Sequence, residues 1–271
     1  MAKSSRGGKR TSATAGGGLG TISATQGAPA AQQQQQIQID DTQQAQPMSA
    51  NYDSFMAMTD DQKASTIDSM ASQPAPDFLS DTAMQRFTYN LGLNDKPTLV
   101  DDAVLDTMTG TELFRTVNSA KDSTRRLKYD ADEIATQVQK GRVTRYSDSG
   151  GSAYGRGLYF ANDYRESRYY GNTTGNIKST AMIRCKLNSN AKTIDYHQAK
   201  RGLANEISSG SKLGKSLAKI NNRDSQSAVS IYALSKGYNV ITSGHGYFNV
   251  LNRNAVTMSK TIKATNSSNR W

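Results

Sequence analysis

Hydrophobic and polar positions divide the 271-residue chain into three textures. Residues 1–50 hold almost no bulky apolar side chains and repeat Gly, Ala and Gln, ending in "AAQQQQQIQIDDTQQAQPMSA". Such a segment buries too little apolar surface to offset the entropy of ordering it, so a disordered arm is expected there. Residues 51–109 take helical spacing. In "SFMAMTDDQKASTIDSMA", Thr59 is placed to cap a helix whose first turn holds Asp60 and Asp61, charges suited to the positive helix end. "LSDTAMQRFTYNLG" sets Met84, Phe87 and Leu91 on one face, with Ser80 as cap and Gly92 as stop. "NDKP" breaks the chain, and "TLVDDAVLDTM" reads as a third short helix of an N-terminal lobe.

Beyond Gly110 the pattern becomes short β-like runs: "ELFRTV", "GRGLYFAN", "TAMIRCKL", "KTIDY", "YNVIT", "YFNVLN" and "AVTMSKTI". Helical stretches fall between them at "DADEIATQVQKG", "DYRESRYYG", "ANEISSG" and "SQSAVSIYALSKG". The pattern predicts an α+β domain over residues 110–264, followed by a tail at 265–271.

Composition narrows the functional classes. The chain is 35% hydrophobic, with a mean hydropathy of −0.67. No apolar run approaches the roughly 18 residues needed to span a bilayer, and no apolar stretch follows the first basic residues as in a secretory signal. No membrane association and no secretion by a signal peptide are expected. Lone Cys185, in the alternating run "TAMIRCKL", reads as a small buried residue, and with only His197 and His245 beside it no metal site is expected. A net charge of +10 favours anionic partners: nucleic acid, a nucleotide cofactor or an acidic protein surface. Its scatter along the chain equally fits a generally solvated basic surface. Lys3, Arg6, Lys9 and Arg10 give the arm a basic tip that either contacts phosphates or keeps the arm soluble.

One stretch concentrates candidate chemistry. In "YGRGLYFANDYRESRYYG", Gly155 and Gly157 flank Arg156 just before an apolar strand, where they would let backbone approach a ligand closely. A helix capped by Asn162 should follow. Strand, polar turn and aromatic-bearing helix make a surface on which a flat ring could stack.

The order of these residues resembles the "GxGxYFAxxxxxSxxY" segment of the ADP-ribosyltransferase superfamily, poly(ADP-ribose) polymerase type. The ending "GYNVITSGHGYFNVLNRNAVTMS" is similar to the last strands of ADP-ribosyltransferase-like proteins encoded by tailed phages. The resemblance covers roughly residues 110–262. It implies two small antiparallel sheets split around an NAD cleft, preceded by the helical region and the arm. It also implies NAD as substrate and no metal. By position, Tyr159 would line the nicotinamide pocket with Phe160 beside it, Ser167 would hydrogen-bond the nicotinamide amide, and Tyr170 would stack on its ring. Arg115, in "ELFRTV", corresponds to the family's strand arginine that contacts a ribose or phosphate of NAD, a task suited to a planar guanidinium fork. Gly155 and Gly157 would admit the ligand.

The family's catalytic glutamate, at the start of the last of these strands, has no counterpart. Tyr247 occupies its position, and no Asp or Glu follows Asp224. Glu206 is the nearest downstream glutamate to the tyrosine motif. The resemblance implies a phage NAD-dependent mono-ADP-ribosyltransferase acting on a macromolecular acceptor, host protein or nucleic acid, in the host cytoplasm or virion. The alternative is an inactive, virion-associated structural or binding protein whose basic arm contacts phage capsid or DNA.

Overall fold

Local signals start and stop the elements, and long-range pairing selects among them. The computed structural model describes residues 48–74, 76, 81–93, 97–121, 127–141, 153–172 and 180–264. Residues 1–47 of the arm, with its basic tip, and the tail lie outside these described residues, whereas residues 48–50, expected to belong to the arm, open the first helix. In chain order the elements are α1 (Met48–Met56), α2 (Asp60–Ser72), α3 (Ala83–Asn90), β1 (Thr98–Val100), α4 (Asp102–Thr107) and β2 (Glu112–Asn118). Then come β3 (Ala120–Lys121), β4 (Leu127–Tyr129), α5 (Ala131–Gln139), β5 (Leu158–Ala161), α6 (Tyr164–Asn172), β6 (Thr180–Leu187) and β7 (Thr193–Asp195). The last are α7 (Tyr196–Ser208), α8 (Lys212–Asn221), α9 (Ser225–Ser235), β8 (Val240–Thr242), β9 (Tyr247–Val250), a 3-10 turn at Arg253–Ala255, β10 (Val256–Ser259) and β11 (Lys263–Ala264).

Thr59 caps α2 in a reciprocal box: its hydroxyl accepts from the Gln62 amide, and its own amide donates to Gln62 Oε1 at 2.9 Å. Thr82 caps α3, accepting from the Gln85 amide at 3.2 Å, whereas the expected cap Ser80 lies outside the described residues. The run "TLVDDAVLDTM" is not one helix. Thr98–Val100 instead pair in parallel with Thr257, Met258 and Ser259, a partner about 160 residues away that local spacing does not contain. Only the second half, α4, is helical. The sequence pattern also missed α8, whose Leu213, Leu217 and Ile220 are all buried. Gly214 within it resembles a breaker, but a Cβ there would lie 2.1 Å from the Glu206 carbonyl, so the glycine is what lets α8 approach α7.

Among the described residues one open, mixed sheet of nine strands runs β1-β10-β6-β2-β5-β9-β8-β7, with β11 also paired to β6; β3 and β4 form a separate two-stranded ribbon. The expectation of two small antiparallel sheets is corrected in two respects. β1–β10 and β7–β8 are parallel pairs, and the halves are joined into one sheet. The join is thin. β2 shares seven register pairs with β6 but a single one with β5, Phe114↔Ala161.

Two apolar clusters hold the fold. One gathers Phe55, Ile67, Met84 and Phe87 from α1–α3 with Leu213, Leu217, Ile231 and Leu234 from α8 and α9. The N-terminal helices therefore share a core with the C-terminal ones. The Tyr52 hydroxyl donates to the Leu234 carbonyl at 3.1 Å, and that burial, with the Asp53 carboxylate adding, holds its pKa well above the usual phenol range. The second cluster lies beneath the sheet, where Leu113, Val117, Leu158, Phe160, Ile183 and Cys185 meet α5. Complete burial pushes the Cys185 thiol pKa up, as a purely packing role requires.

Phe55 is fully buried and meets the Phe87 ring edge-on at 5.6 Å. Phe55→Ala should cost about 3–5 kcal/mol in urea denaturation. Val104→Ala, at an exposed position of α4, should stay within about 0.5 kcal/mol of wild type. Equal small effects would show α1 to be an appendage.

Candidate functional site

Strand register sorts the candidate residues onto two faces. Cross-strand partners share a face, so Tyr159↔Asn249, Ala161↔Tyr247 and Phe114↔Ala161 place Tyr159, Tyr247, Asn249, Phe114 and Thr116 on one side. Alternation sends Leu158, Phe160, Phe248, Leu113, Arg115 and Val117 to the other, the side of the second core.

On the tyrosine face the turn before β5 is held from three directions. The Tyr159 hydroxyl folds back to accept from the Tyr154 amide at 2.9 Å and to donate to the Gly155 carbonyl at 2.5 Å. Asn249 Nδ2 donates to the Tyr154 carbonyl at 3.0 Å, and Gln226 Oε1 accepts from the Gly155 amide at 2.9 Å. The glycines have a reason within this packing. Gly155 takes φ +94°, and a Cβ there would sit 2.5 Å from Ser230 Oγ; at Gly157 it would sit 2.0 Å from Asn249 Oδ1. The space they leave is filled from within the fold.

Helix α6 crosses β2 on this face. Asp163, rather than the expected Asn162, caps its first turn, with the Arg165 amide donating to Asp163 Oδ1 at 2.6 Å. Tyr164 meets Phe114 edge-on at 6.4 Å. Ser167, buried, reaches the place where β2 and β5 part. Its Oγ accepts from the Thr116 amide at 2.7 Å and lies 3.1 Å from Thr116 Oγ1.

Tyr247, at the start of β9, stacks on Tyr154 with ring centres 6.3 Å apart and planes at 16°. Its hydroxyl donates to Glu166 Oε2 at 2.9 Å. Sequence reasoning missed Glu166. The signal was present, since α6 begins with two carboxylates in the motif, Asp163 and Glu166, and the first serves as the cap.

The structure thus places Tyr159, Ser167 and Tyr247 on one face, with the Tyr159 hydroxyl on the Gly155 carbonyl. Arg115 and Phe160 take the opposite face. The guanidinium of Arg115 donates from Nη1 to the Tyr159 carbonyl at 2.6 Å, and Phe160 is buried in the second core. Tyr170 belongs to α6, but its side chain lies outside the described residues. Glu206 is structural in its contacts: it pairs with Lys236 at 3.0 Å and accepts from Ser211 Oγ at 2.7 Å. Burial raises its pKa, but these two partners outweigh burial and hold it below the ordinary carboxylate range.

A recess of about 380 Å³ between α7 and α9 is lined by Tyr196, Lys200, Leu203, Ile207, Gln226 and Val229. It meets the site through Gln226 and through Tyr196, which packs edge-on against Tyr154 at 5.4 Å. Among the described residues no His, Cys, Asp and Glu group could hold a metal ion, and no helix is long and apolar enough to cross a membrane. Comparisons with protein-family models, with curated proteins and with solved structures each returned no match.

Because Ser167 satisfies a backbone donor of β2, Ser167→Ala should destabilise the fold by about 1–3 kcal/mol with no ligand present, as an orphaned buried N–H does. Thermal or urea unfolding checks this. An unchanged midpoint would mean that another group satisfies the Thr116 amide.

Proposed function

We propose that the chain is an NAD-dependent mono-ADP-ribosyltransferase, of the phage-encoded kind its sequence resembles, passing ADP-ribose to a macromolecular acceptor. The observation that carries the reading is the one-pair junction of β2 and β5, with Ser167 seated in it and Tyr159 and Tyr247 beside it on one face. A thin seam between two half-sheets, bordered by the motif's serine and tyrosines, is what the resemblance leads one to expect of an NAD cleft. Tyr159 and Ser167 would hold nicotinamide, and the Arg115 guanidinium a ribose or phosphate oxygen.

The reaction breaks the bond between the ribose C1′ and the nicotinamide nitrogen. The electron pair leaves with nicotinamide, C1′ becomes oxocarbenium-like, and an acceptor nucleophile attacks it and gives up its proton. A carboxylate near C1′ stabilises the developing charge. With Tyr247 at the position where that carboxylate is expected, Glu166 supplies one to the same place, held there by the Tyr247 hydroxyl.

A second reading, an inactive virion-associated binding protein, is favoured by Tyr247 itself and by the lack of any Asp or Glu after Asp224. Two measurements separate the two. Nicotinamide or benzamide should raise the melting temperature of the wild type, because a ligand that binds only the folded state stabilises it by mass action. Labelled NAD should be cleaved and its ADP-ribose incorporated into host lysate. Glu166→Gln should slow nicotinamide release by about 100- to 1000-fold while leaving the nicotinamide shift intact. Binding without cleavage in the wild type selects the second reading, and neither binding nor cleavage rejects both.

A further inference from the structure

The recess between α7 and α9 has no task in the proposed reaction, yet it adjoins the tyrosine face at two points. At about 380 Å³ it has the size of a small-ligand pocket. Gln226, in its lining, accepts from the Gly155 amide at Oε1 and from the Arg156 amide at its backbone carbonyl, at 2.9 and 3.3 Å. Tyr196, on the opposite helix, meets Tyr154 edge-on, and Tyr154 in turn stacks on Tyr247. An aromatic series therefore runs from the recess lining to the hydroxyl that holds Glu166.

The lining suits a flat guest that carries negative charge. Buried Leu203 and Val229 make part of it apolar, and Tyr196 makes part of it aromatic. With Oε1 committed to Gly155, Gln226 keeps its Nε2 donors without a partner among the described residues, and the Asn221 side chain likewise makes no hydrogen bond among them. Lys200 is the one charged group among the described residues of the lining. It is exposed, as is Arg201 beside it on α7, and neither forms an ion pair among the described residues. The carboxylates bordering these helices are engaged elsewhere. Asp195 accepts from the His197 and Gln198 amides, Glu206 pairs with Lys236, and Asp224 accepts from the Ser227 amide and hydroxyl.

We infer that the recess binds one nucleotide of a single-stranded nucleic acid, with the base against Tyr196 and the Gln226 and Asn221 amides and the phosphate on Lys200 and Arg201. Aromatic rings take bases of any sequence, side-chain amides pair with their hydrogen-bonding edges, and unpaired cations take the backbone. The net charge of +10 has the matching sign. An acidic peptide would satisfy Lys200 but leave the aromatic ring and the two amides without the flat, polar-edged group they fit. The next nucleotide of the strand would lie over Tyr154 and Tyr247, beside Glu166. That this strand is the acceptor of ADP-ribose rests on the proposed function, whereas its binding in the recess does not.

The test measures fluorescence anisotropy of labelled single-stranded DNA and RNA oligonucleotides with the full chain, without NAD, at several sodium chloride concentrations. The wild type should bind at least one of them, and more tightly than the same sequence as a duplex, because a stacked and paired base cannot enter the recess. Ala204→Trp, at an exposed position of the lining, should fill the recess and weaken that binding by about tenfold or more, the effect of losing one stacked base, while its melting temperature shows that it folds. Lys200→Gln should weaken all sequences alike and lower the slope of log affinity against log salt by about 1. If Ala204→Trp does not fold, the assignment is judged on Lys200→Gln. It is overturned if no oligonucleotide binds the wild type, or if the folded variant binds as the wild type does, which would move binding to another surface such as the basic arm. It is also overturned if label from NAD on lysate protein survives nuclease treatment and is lost in Ala204→Trp, which would make the recess a peptide site. A nicotinamide response measured in parallel keeps the two conclusions apart, since its absence would reject the proposed reaction and leave the nucleotide site standing.

Discussion

The hydroxyl of Ser167 does for β2 what a neighbouring strand would otherwise have done. Past Phe114↔Ala161, β2 and β5 no longer pair, and a buried strand amide left there without an acceptor would be costly. Ser167 reaches down from α6 and accepts from Thr116. That substitution lets the two halves of the sheet stay attached while their strands diverge. It also fixes α6 over β2, so the position of Glu166 and its contact with Tyr247 follow from it.

From that junction the molecule acquires two chemically different sides. One is aromatic, with Tyr154, Tyr159 and Tyr247 tied together by hydrogen bonds and stacking. The other is cationic and embedded in an apolar core, with Arg115 on the face of Leu113 and Val117. The glycines of the tyrosine motif belong to a different layer of explanation, since Asn249 and Ser230 occupy the room they leave.

What could be read in the sequence depended on how local its cause was. Thr59 capping α2 and the alternation of β6 are written in neighbouring residues, and both were legible. The strand at Thr98–Val100 was not, because its partner lies at Thr257–Ser259. Helix α8 was hidden by Gly214, whose purpose appears only when α7 is beside it. At the candidate site, the tyrosines and Ser167 are named through the family resemblance and not through any local signal. That Arg115 faces away from them follows from strand register, and the role of Glu166 follows from a contact across 81 residues, neither of which a linear pattern contains.

The pairing of β1 with β10 has a consequence for the order of events as the chain is made. Strand β1 gains its partner only when Val256–Ser259 has been synthesised, and the apolar faces of α1–α3 gain theirs only with α8 and α9. Contacts this distant in sequence form late and carry a large loop-closure cost. During elongation Phe55, Ile67 and Phe87 therefore emerge from the ribosome long before the surface that covers them. A nascent chain stopped before α8 leaves the apolar faces of these helices covered only by one another, exposed surface of the kind that makes incomplete chains prone to aggregate.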